Sequence, residues 1–442
     1  MSLPATPQRV LVVGAGIVGL STALRLHLDG HVVTVVDAQE PMSGCSFGNA
    51  GCLSEANLFP PATMDTLLGL PRLLWSKDGP LVIRPSYLGT MLPWMARAAA
   101  TISPSRHDAI VAAMASVTAP AIDCFDALTA ASGASQLVTR DGLLVACRHA
   151  PTLEARAARM PWWERSGILA TRVDASQMKA LVPALRSDLA GGLFFPNSGR
   201  VSDPGRLGLA YAERLRAGGA TVAKTRVLGI RTVDGKIAHV RTSHGELVAD
   251  CVVVCAGHAS KALIEGLGQV VPLAAERGYH LMLDAHLAME RPVIFGEPYF
   301  GATPMAGGLR LAGTAEFASP DAVPNWKRAW LLLQQAKEYL DHADKLAAAN
   351  ATPWMGVRPS FPDGMPAIGR LSDHPNVFYA FGHGHNGLTL SAVTAQCMAS
   401  LVAGKRPTID INPFSLERFR DNRRGPGHRI SQQKPKPKEK VI

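Results

Sequence analysis

The residues best equipped for chemistry come early in the chain. Gly14-Ala15-Gly16-Ile17-Val18-Gly19 is followed by Asp37, with Ala38 beside it, at the end of a second apolar run. Gly14 permits a tight turn. Gly16 lets backbone approach a pyrophosphate, and Gly19 lets a helix pack closely on a strand. The helix behind the glycines offers free N–H groups and the positive end of its dipole to phosphates. Asp37 can accept hydrogen bonds from an adenosine ribose. This is the chemistry of a dinucleotide site, and it leaves open which dinucleotide and which reaction.

Later stretches narrow the choice. Ser43–Gly51 reads SGCSFGNAG. Small residues with hydroxyls and amides let the chain pass close to a flat or charged ligand, which makes Ser46, Asn49, Ala50 and Gly51 candidate contacts. A nicotinamide enzyme has no evident need of this second loop. An extended FAD, whose ring lies far from the first turn, does. Val252–Ser260 reads as a buried strand ending in Ala256-Gly257. Gly382-His383-Gly384-His385-Asn386-Gly387-Leu388 is a glycine-rich turn at a helix start. Its dipole would stabilise an anionic reduced flavin. Gly356–Gly369 carries Arg358, a guanidinium fork suited to a carboxylate. The alternative for Arg358 is a structural ion pair with Asp363.

The elements that must position these residues are legible in outline. Val10–Val13 and Val32–Val36 flank the helix-like Leu20–Leu28, a βαβ unit. Ser105–Ala131 reads as helix, and Gly142–Cys147 and Gly192–Phe195 as strands. Pro204–Ala217 reads as an amphipathic helix capped by Asp203. Strand signals follow at Thr221–Thr225, Gly229–Val233, Lys236–Arg241 and Cys251–Ala256. A mostly antiparallel region comes next, with strands at Tyr279–Leu283, Val293–Phe295, Tyr299–Ala302 and Leu309–Thr314, then a long helix at Trp326–Ala348. Nucleotide-type elements thus occur at the start, middle and end. The expectation is an α/β chain with a discontinuous dinucleotide domain (8–57, 200–270 and 355–415). An α+β substrate domain (58–199 and 271–354) is inserted into it, and a disordered tail covers 420–442.

At 442 residues, 47% hydrophobic and 18% charged, the composition is that of an ordinary α/β enzyme. No uncharged apolar run reaches about 18 residues, so no membrane-spanning helix is expected. The apolar N-terminus is read as the first strand and helix of the nucleotide unit rather than a signal peptide, which places the chain in the cytoplasm. The seven cysteines show no paired spacing and are read as reduced, and no metal site is expected. Of the net charge of +10, nine Lys/Arg against Asp421 and Glu439 place +7 between Arg418 and Ile442. A basic tail of this kind is either a solvated end or a weak attractor of anionic surfaces.

Five motifs together resemble the FAD-dependent D-amino-acid oxidase family in its bacterial D-amino-acid dehydrogenase branch. They are the N-terminal βαβ unit, Ser46–Gly51, Gly191–Asn197, Arg358-Pro…Asp363-Gly364…Pro366, and Gly382-His383-Gly384. The likeness runs from Arg9 to Phe419. It implies a GR2-type, Rossmann-like FAD domain with an inserted antiparallel-sheet substrate domain. FAD would be held noncovalently, with Val227 joining the contacts named above. The implied reaction is oxidative deamination of a D-amino acid to the imino and then the 2-oxo acid, by hydride transfer from Cα to flavin N5.

The family's carboxylate-binding arginine falls at Arg358. Tyr279 matches a tyrosine of the dehydrogenase branch, and Tyr299 is a second candidate. Each either donates to the substrate carboxylate or simply packs in a strand. His385 stands where some glycine-oxidase-like members carry an arginine, so the chain departs from the pattern there.

Electrons would pass to a quinone or another acceptor, with peripheral membrane contact through Trp75, Leu92, Trp94, Met95 and the tail. The bland reading packs these apolar residues in the core. No nucleic acid is expected. The rivals are a D-proline or D-hydroxyproline dehydrogenase, a glycine- or sarcosine-type oxidase using oxygen, and a flavoprotein assembly module without enzyme activity.

Overall fold

The computed structural model describes residues 7–62, 79, 81–233, 236–341, 346 and 350–420, with only the backbone of 236–238. Trp75, the tail beyond Arg420 and part of the 58–199 stretch lie outside the described residues.

Two large sheets organise the chain. The first has six strands in the order Thr221–Lys224, Val32–Asp37, Arg9–Val13, Cys251–Val254, Val377–Phe381, Ala367–Arg370. All pairs are parallel except the last. Strands buried on both faces read as unbroken apolar runs, as CVVV and VFYAF do here. Helices Ile17–Leu28 and Ser391–Val402 pack together in the core that covers one face. Helix Pro204–Ala217 is capped as expected, Asp203 accepting from the Arg206 N–H at 3.0 Å. The parallel strands bring the segments after Val13, Asp37, Lys224, Val254 and Phe381 to one end of the sheet, where α/β folds hold ligands.

The second sheet is mostly antiparallel. Its order is Ala351–Ser360, Ala274–Leu283, Gly308–Phe317, Phe300–Met305, Val293–Phe295, Leu143–Cys147, Gly191–Phe195, Thr171–Val173, with Leu81–Ile83 beside Phe317. Parallel pairing occurs at Val293–Phe295 with Leu143–Cys147, and at Leu81–Ile83. Arg358 lies within the Ala351–Ser360 strand, paired opposite Glu276. A boundary at 355 would cut this strand.

Two element expectations change. The long helix is interrupted after Lys327–Ala336, with helix again at Leu346. Beyond Ala336, Tyr339 turns inward to hydrogen-bond Glu297, and Leu340 bridges Leu185. Ser105–Ala131 divides into Pro104–Thr118 and Ala121–Ala131 around Pro120, whose ring cannot continue a helix ladder. Taken together, Pro104–Ala131 is long and apolar enough to cross a membrane by length and composition, yet half of its apolar window is buried in the protein.

Of the expected apolar patch, Leu92 is exposed. Trp94 and Met95 instead pack beside Ile83, Ala274 and Phe317. The Trp94 indole donates to the Ser360 carbonyl at 3.0 Å. All seven cysteines are free thiols. No cluster of three or more His, Cys, Asp or Glu is placed to hold a metal among the described residues.

Candidate active site

The first turn is built by close packing. A Cβ on Gly14 would lie 2.4 Å from the Cys255 carbonyl oxygen, and one on Gly19 would lie 2.0 Å from the Gly14 oxygen. Both positions exclude any side chain. Gly16 caps the Ile17–Leu28 helix, and the Ser46 hydroxyl accepts the Ile17 N–H at 3.0 Å. The second loop is thereby tied to the first, with Ala15 and Val18 on either side of the helix start. Asp37 accepts from the Ala15 N–H at 2.7 Å through one oxygen and from the Gln39 N–H at 2.9 Å through the other. Each oxygen keeps a lone pair for a ribose hydroxyl. The Thr225 N–H donates to the Asp37 carbonyl at 2.7 Å, which ties the chain just before Val227 to the chain just before Ala38.

The loop Ser46–Gly51 is gripped from the second sheet. Arg310, buried, donates to the Phe47 and Asn49 carbonyls at 3.2 and 2.7 Å. Burial pulls its pKa down to about 10. His280 meets the Gly48 carbonyl at 3.1 Å and stacks on Trp354 at 5.0 Å. A Cβ on Gly48 would strike that indole at 2.0 Å. Burial, with Arg310 and Arg358 nearby, lowers His280 to about 3, so its ring is neutral. Asn49 accepts the Gly51 N–H at 2.7 Å and fixes the turn around Ala50.

The chain's late loop closes the same end. Gly257 and Gly384 adopt φ of +57° and +51°, and a Cβ on Gly257 would meet nothing within 4 Å. Left-handed glycines facing open ground beyond Ala256 and Gly382 form a cradle rather than a packing contact. This cradle, the Asp37 acceptors and the Ser46 loop fit an extended dinucleotide such as FAD. The His383 side chain does not face that cradle. It is buried against Thr394 at 3.0 Å, and burial holds its pKa near 3. The loop docks on the Arg358 strand through a Ser360–His383 bridge and a Gly384 N–H to Pro359 carbonyl bond of 3.1 Å. Asn386, Gly387 and buried Leu388 then lead into the next helix.

This docking brings His385 to Arg358. Between them sits Glu276. One of its oxygens accepts from Arg358 Nη1 at 3.0 Å and lies 2.9 Å from His385 Nε2, and the other accepts from the Ser360 hydroxyl at 2.7 Å. Burial works against ionisation of Glu276, but His385, Arg358 and Ser360 overcome it and hold the carboxyl far below the usual carboxylate range. Arg358 Nη1 also donates to the Thr314 carbonyl at 3.2 Å. Thr314 is the extra residue of a β-bulge opposite Gly278–Tyr279, with φ of +53°. For a β-branched residue that is real backbone strain, and bulges re-aim strand groups beside sites. Gly278 is required because the Arg358 guanidinium occupies the space its Cβ would fill. Among the described residues no acceptor meets Arg358 Nε or Nη2.

One alternative falls away and one sequence assignment needs correction. Arg358 is not paired with Asp363, which instead binds Arg418 at 2.8 Å. Tyr279 faces away from Arg358. Glu276, Gly278 and His280 lie on one face of the strand, whereas Arg277 and Tyr279 point to the other. The Tyr279 hydroxyl donates to Glu316 at 2.5 Å and accepts from the Asn325 N–H at 3.1 Å, with its ring buried. Tyr299 stays at the rim. It is exposed, has φ of +52°, and lies under the Arg156 guanidinium with its hydroxyl 3.5 Å from Asn57.

Glu276, Thr314, Ser360, Arg310 and His280 escaped the sequence reading. A signal existed for Glu276: a carboxylate inside the apolar run of Ala274–Leu283 must have a partner if that strand is buried.

The chain is similar to known proteins over most of its length. The family model described as FAD dependent oxidoreductase matches residues 9–401. A D-amino-acid oxidase of Bradyrhizobium diazoefficiens is 33% identical over 420 residues, 93% of this chain and 99% of its own. A D-amino acid dehydrogenase of Cereibacter sphaeroides is 29% identical over 434 residues, 96% and 99% of the two chains. The crystal structure of an L-proline dehydrogenase from P. horikoshii superposes with a TM-score of 0.75 at 16% identity, covering 93% of this chain and 98% of that one. The chain belongs to the family of FAD-dependent oxidoreductases.

Proposed function

We propose that this flavoenzyme oxidises the Cα–N bond of a D-amino acid. The imino acid released is hydrolysed to a 2-oxo acid and ammonia, and the electrons pass to a quinone or another acceptor. The observation that carries the reading is Arg358. Its Nη1 is fixed by Glu276 and the Thr314 carbonyl, while Nε and Nη2 remain available to a carboxylate on the face that also meets the Ser46–Gly51 and Gly382–Leu388 loops. A guanidinium edge held in this way binds a carboxylate bidentately and fixes the substrate's orientation. The relatives named D-amino-acid oxidase and D-amino acid dehydrogenase support the substrate class. FAD, when bound, takes up the hydride that leaves Cα.

The protein's part is orientation and charge. Arg358 neutralises and positions the carboxylate. The glycine cradle and Asp37 hold the dinucleotide. Arg310 and His280 brace the loop between the two. Tyr299, exposed and 3.5 Å from Asn57, would guard the approach to the substrate.

The test is anaerobic mixing of the holoenzyme with a panel of D- and L-amino acids, glycine, sarcosine and D-proline. Loss of oxidised flavin absorbance with D-amino acids supports the reading. A flavin that no member of the panel reduces overturns it. Peroxide formation under air, set against reduction of a quinone analogue, separates an oxidase from a dehydrogenase.

A further inference from the structure

We propose that His385, oriented by Glu276, accepts the proton that the substrate's ammonium group must lose before hydride can leave Cα. This rests on the amino-acid reading of the site. At neutral pH an α-amino acid carries an ammonium group, whose nitrogen has no free lone pair to assist the departure of hydride. A base is therefore needed near the amine while the carboxylate sits on Arg358.

The geometry supplies one. Arg358 Nη1 and His385 Nε2 share a single oxygen of Glu276, at 3.0 and 2.9 Å. Imidazole and guanidinium thus meet at one carboxylate oxygen. In an α-amino acid the nitrogen is two bonds from the carboxylate carbon, so a substrate held by Arg358 brings its amine within reach of the imidazole. With Nε2 2.9 Å from an ionised carboxylate oxygen, the neutral ring carries its proton on that nitrogen and keeps its lone pair on Nδ1. The His385 side chain is 57% exposed, whereas that of Glu276 is 7% exposed. The sheltered carboxylate orients, and the open ring edge meets the ligand.

The choice between the two as base follows from their surroundings. Glu276 is held ionised by Arg358, His385 and the Ser360 hydroxyl, which makes it a poor proton acceptor. The ammonium N–H bond breaks, its electron pair stays on nitrogen, and an Nδ1–H bond forms. Charges then close in pairs, substrate carboxylate with Arg358 and imidazolium with Glu276. The titratable and charged groups facing His385 among the described residues are Glu276 from the Ala274–Leu283 strand and Arg358 from the Ala351–Ser360 strand. His383 of its own loop is turned away to Thr394. Cys45 and His280 are the further titratable groups under the influence of Arg358.

The experiment compares wild-type and His385→Gln holoenzymes. Anaerobic flavin reduction by a D-amino acid is followed across pH, and binding of isobutyrate, a carboxylate without an amine, is followed by the flavin difference spectrum. At neutral pH the variant should reduce its flavin about 100-fold more slowly. It should recover as pH rises through the substrate's own ammonium ionisation, and isobutyrate should bind both forms equally. An unchanged pH profile overturns the proposal. So does loss of isobutyrate binding, which would mean that His385 merely shapes Arg358. If wild-type flavin is reduced by no amino acid, the proposed function itself falls, a result that comes before any variant is made.

Discussion

Adjacent residues of the Ala274–Leu283 strand, Glu276 and Arg277, anchor two clusters built from nearly the same ingredients on opposite faces of the sheet. On one face Glu276 binds Arg358, His385 and Ser360. On the other Arg277 faces Glu316 at 3.4 Å, and Glu316 also holds Arg84 at 2.8 Å and the Tyr279 hydroxyl. Each cluster contains an arginine with N–H groups that no acceptor meets among the described residues. Those of Arg358 sit on a side chain 20% exposed, while Arg277 is completely buried. Open valence that a ligand can reach makes a binding group. The same valence sealed in the interior is a cost borne by the fold. Chemistry alone does not separate the two clusters; access does.

The comparison breaks first at the two arginines. Arg358→Leu should lower kcat/KM for a carboxylate substrate by about 1000-fold, because a charge-assisted bidentate contact is lost. The flavin spectrum should stay close to wild type, while the melting temperature should fall, because buried Glu276 loses one of its cations. Steady-state kinetics with a dye acceptor checks this, and an unchanged kcat/KM removes Arg358 from the site. Arg277→Leu should do the reverse. It takes one cation from buried Glu316 and should cost about 3 kcal/mol in denaturant unfolding, with little change in KM for the protein that folds.

A third prediction uses pH. His383 is buried near pKa 3, below its unfolded value of about 6.5. Between those values the unfolded chain binds the proton and the folded one does not, so stability falls as pH drops through that window. From pH 6.5 to 5 the loss from this one group should be about 2 kcal/mol. Urea unfolding of His383→Asn should show a shallower acid slope, and an equal slope sinks the assignment. Glu276 works in the opposite sense. Its folded pKa is depressed, so its contribution is present above the usual carboxylate range and fades only in strong acid.

The smallest effect is expected at Tyr279→Phe, which removes a hydroxyl from the sealed cluster. It should cost about 1 kcal/mol of stability and leave KM unchanged. A raised KM would place Tyr279 back among the substrate contacts.

Much of this was readable in advance because it rests on local rules. Gly19 is demanded by a backbone contact with Gly14 inside the βαβ unit, whereas the space at Gly14 is closed by Cys255 of a distant strand. Asp203 caps its helix through a contact three residues long. The Thr221–Lys224, Val227–Val233 and Lys236–Thr242 strands follow from alternation and turn residues. Tyr279 was misplaced because the period of two says that Arg277 and Tyr279 share a face, not which face looks at the ligand. Glu276 was overlooked because its partners, Arg358 and His385, lie far along the chain.

The sequence by itself therefore determined the dinucleotide cradle, the strand content and Arg358 as the cation to watch. Each is encoded within a few residues, in glycines that tolerate no Cβ and in a guanidinium beside a sharp turn. Only the tertiary structure decided what Arg358 is bound to and what it can bind. Pairing of Ala274–Leu283 with Ala351–Ser360 sets Glu276 opposite Arg358, and the Thr314 bulge turns a carbonyl toward the guanidinium. Docking of the Gly384 N–H on Pro359 then delivers His385. Register between distant strands has no local signature, and a slip of one residue would exchange the site for the sealed cluster on the other face.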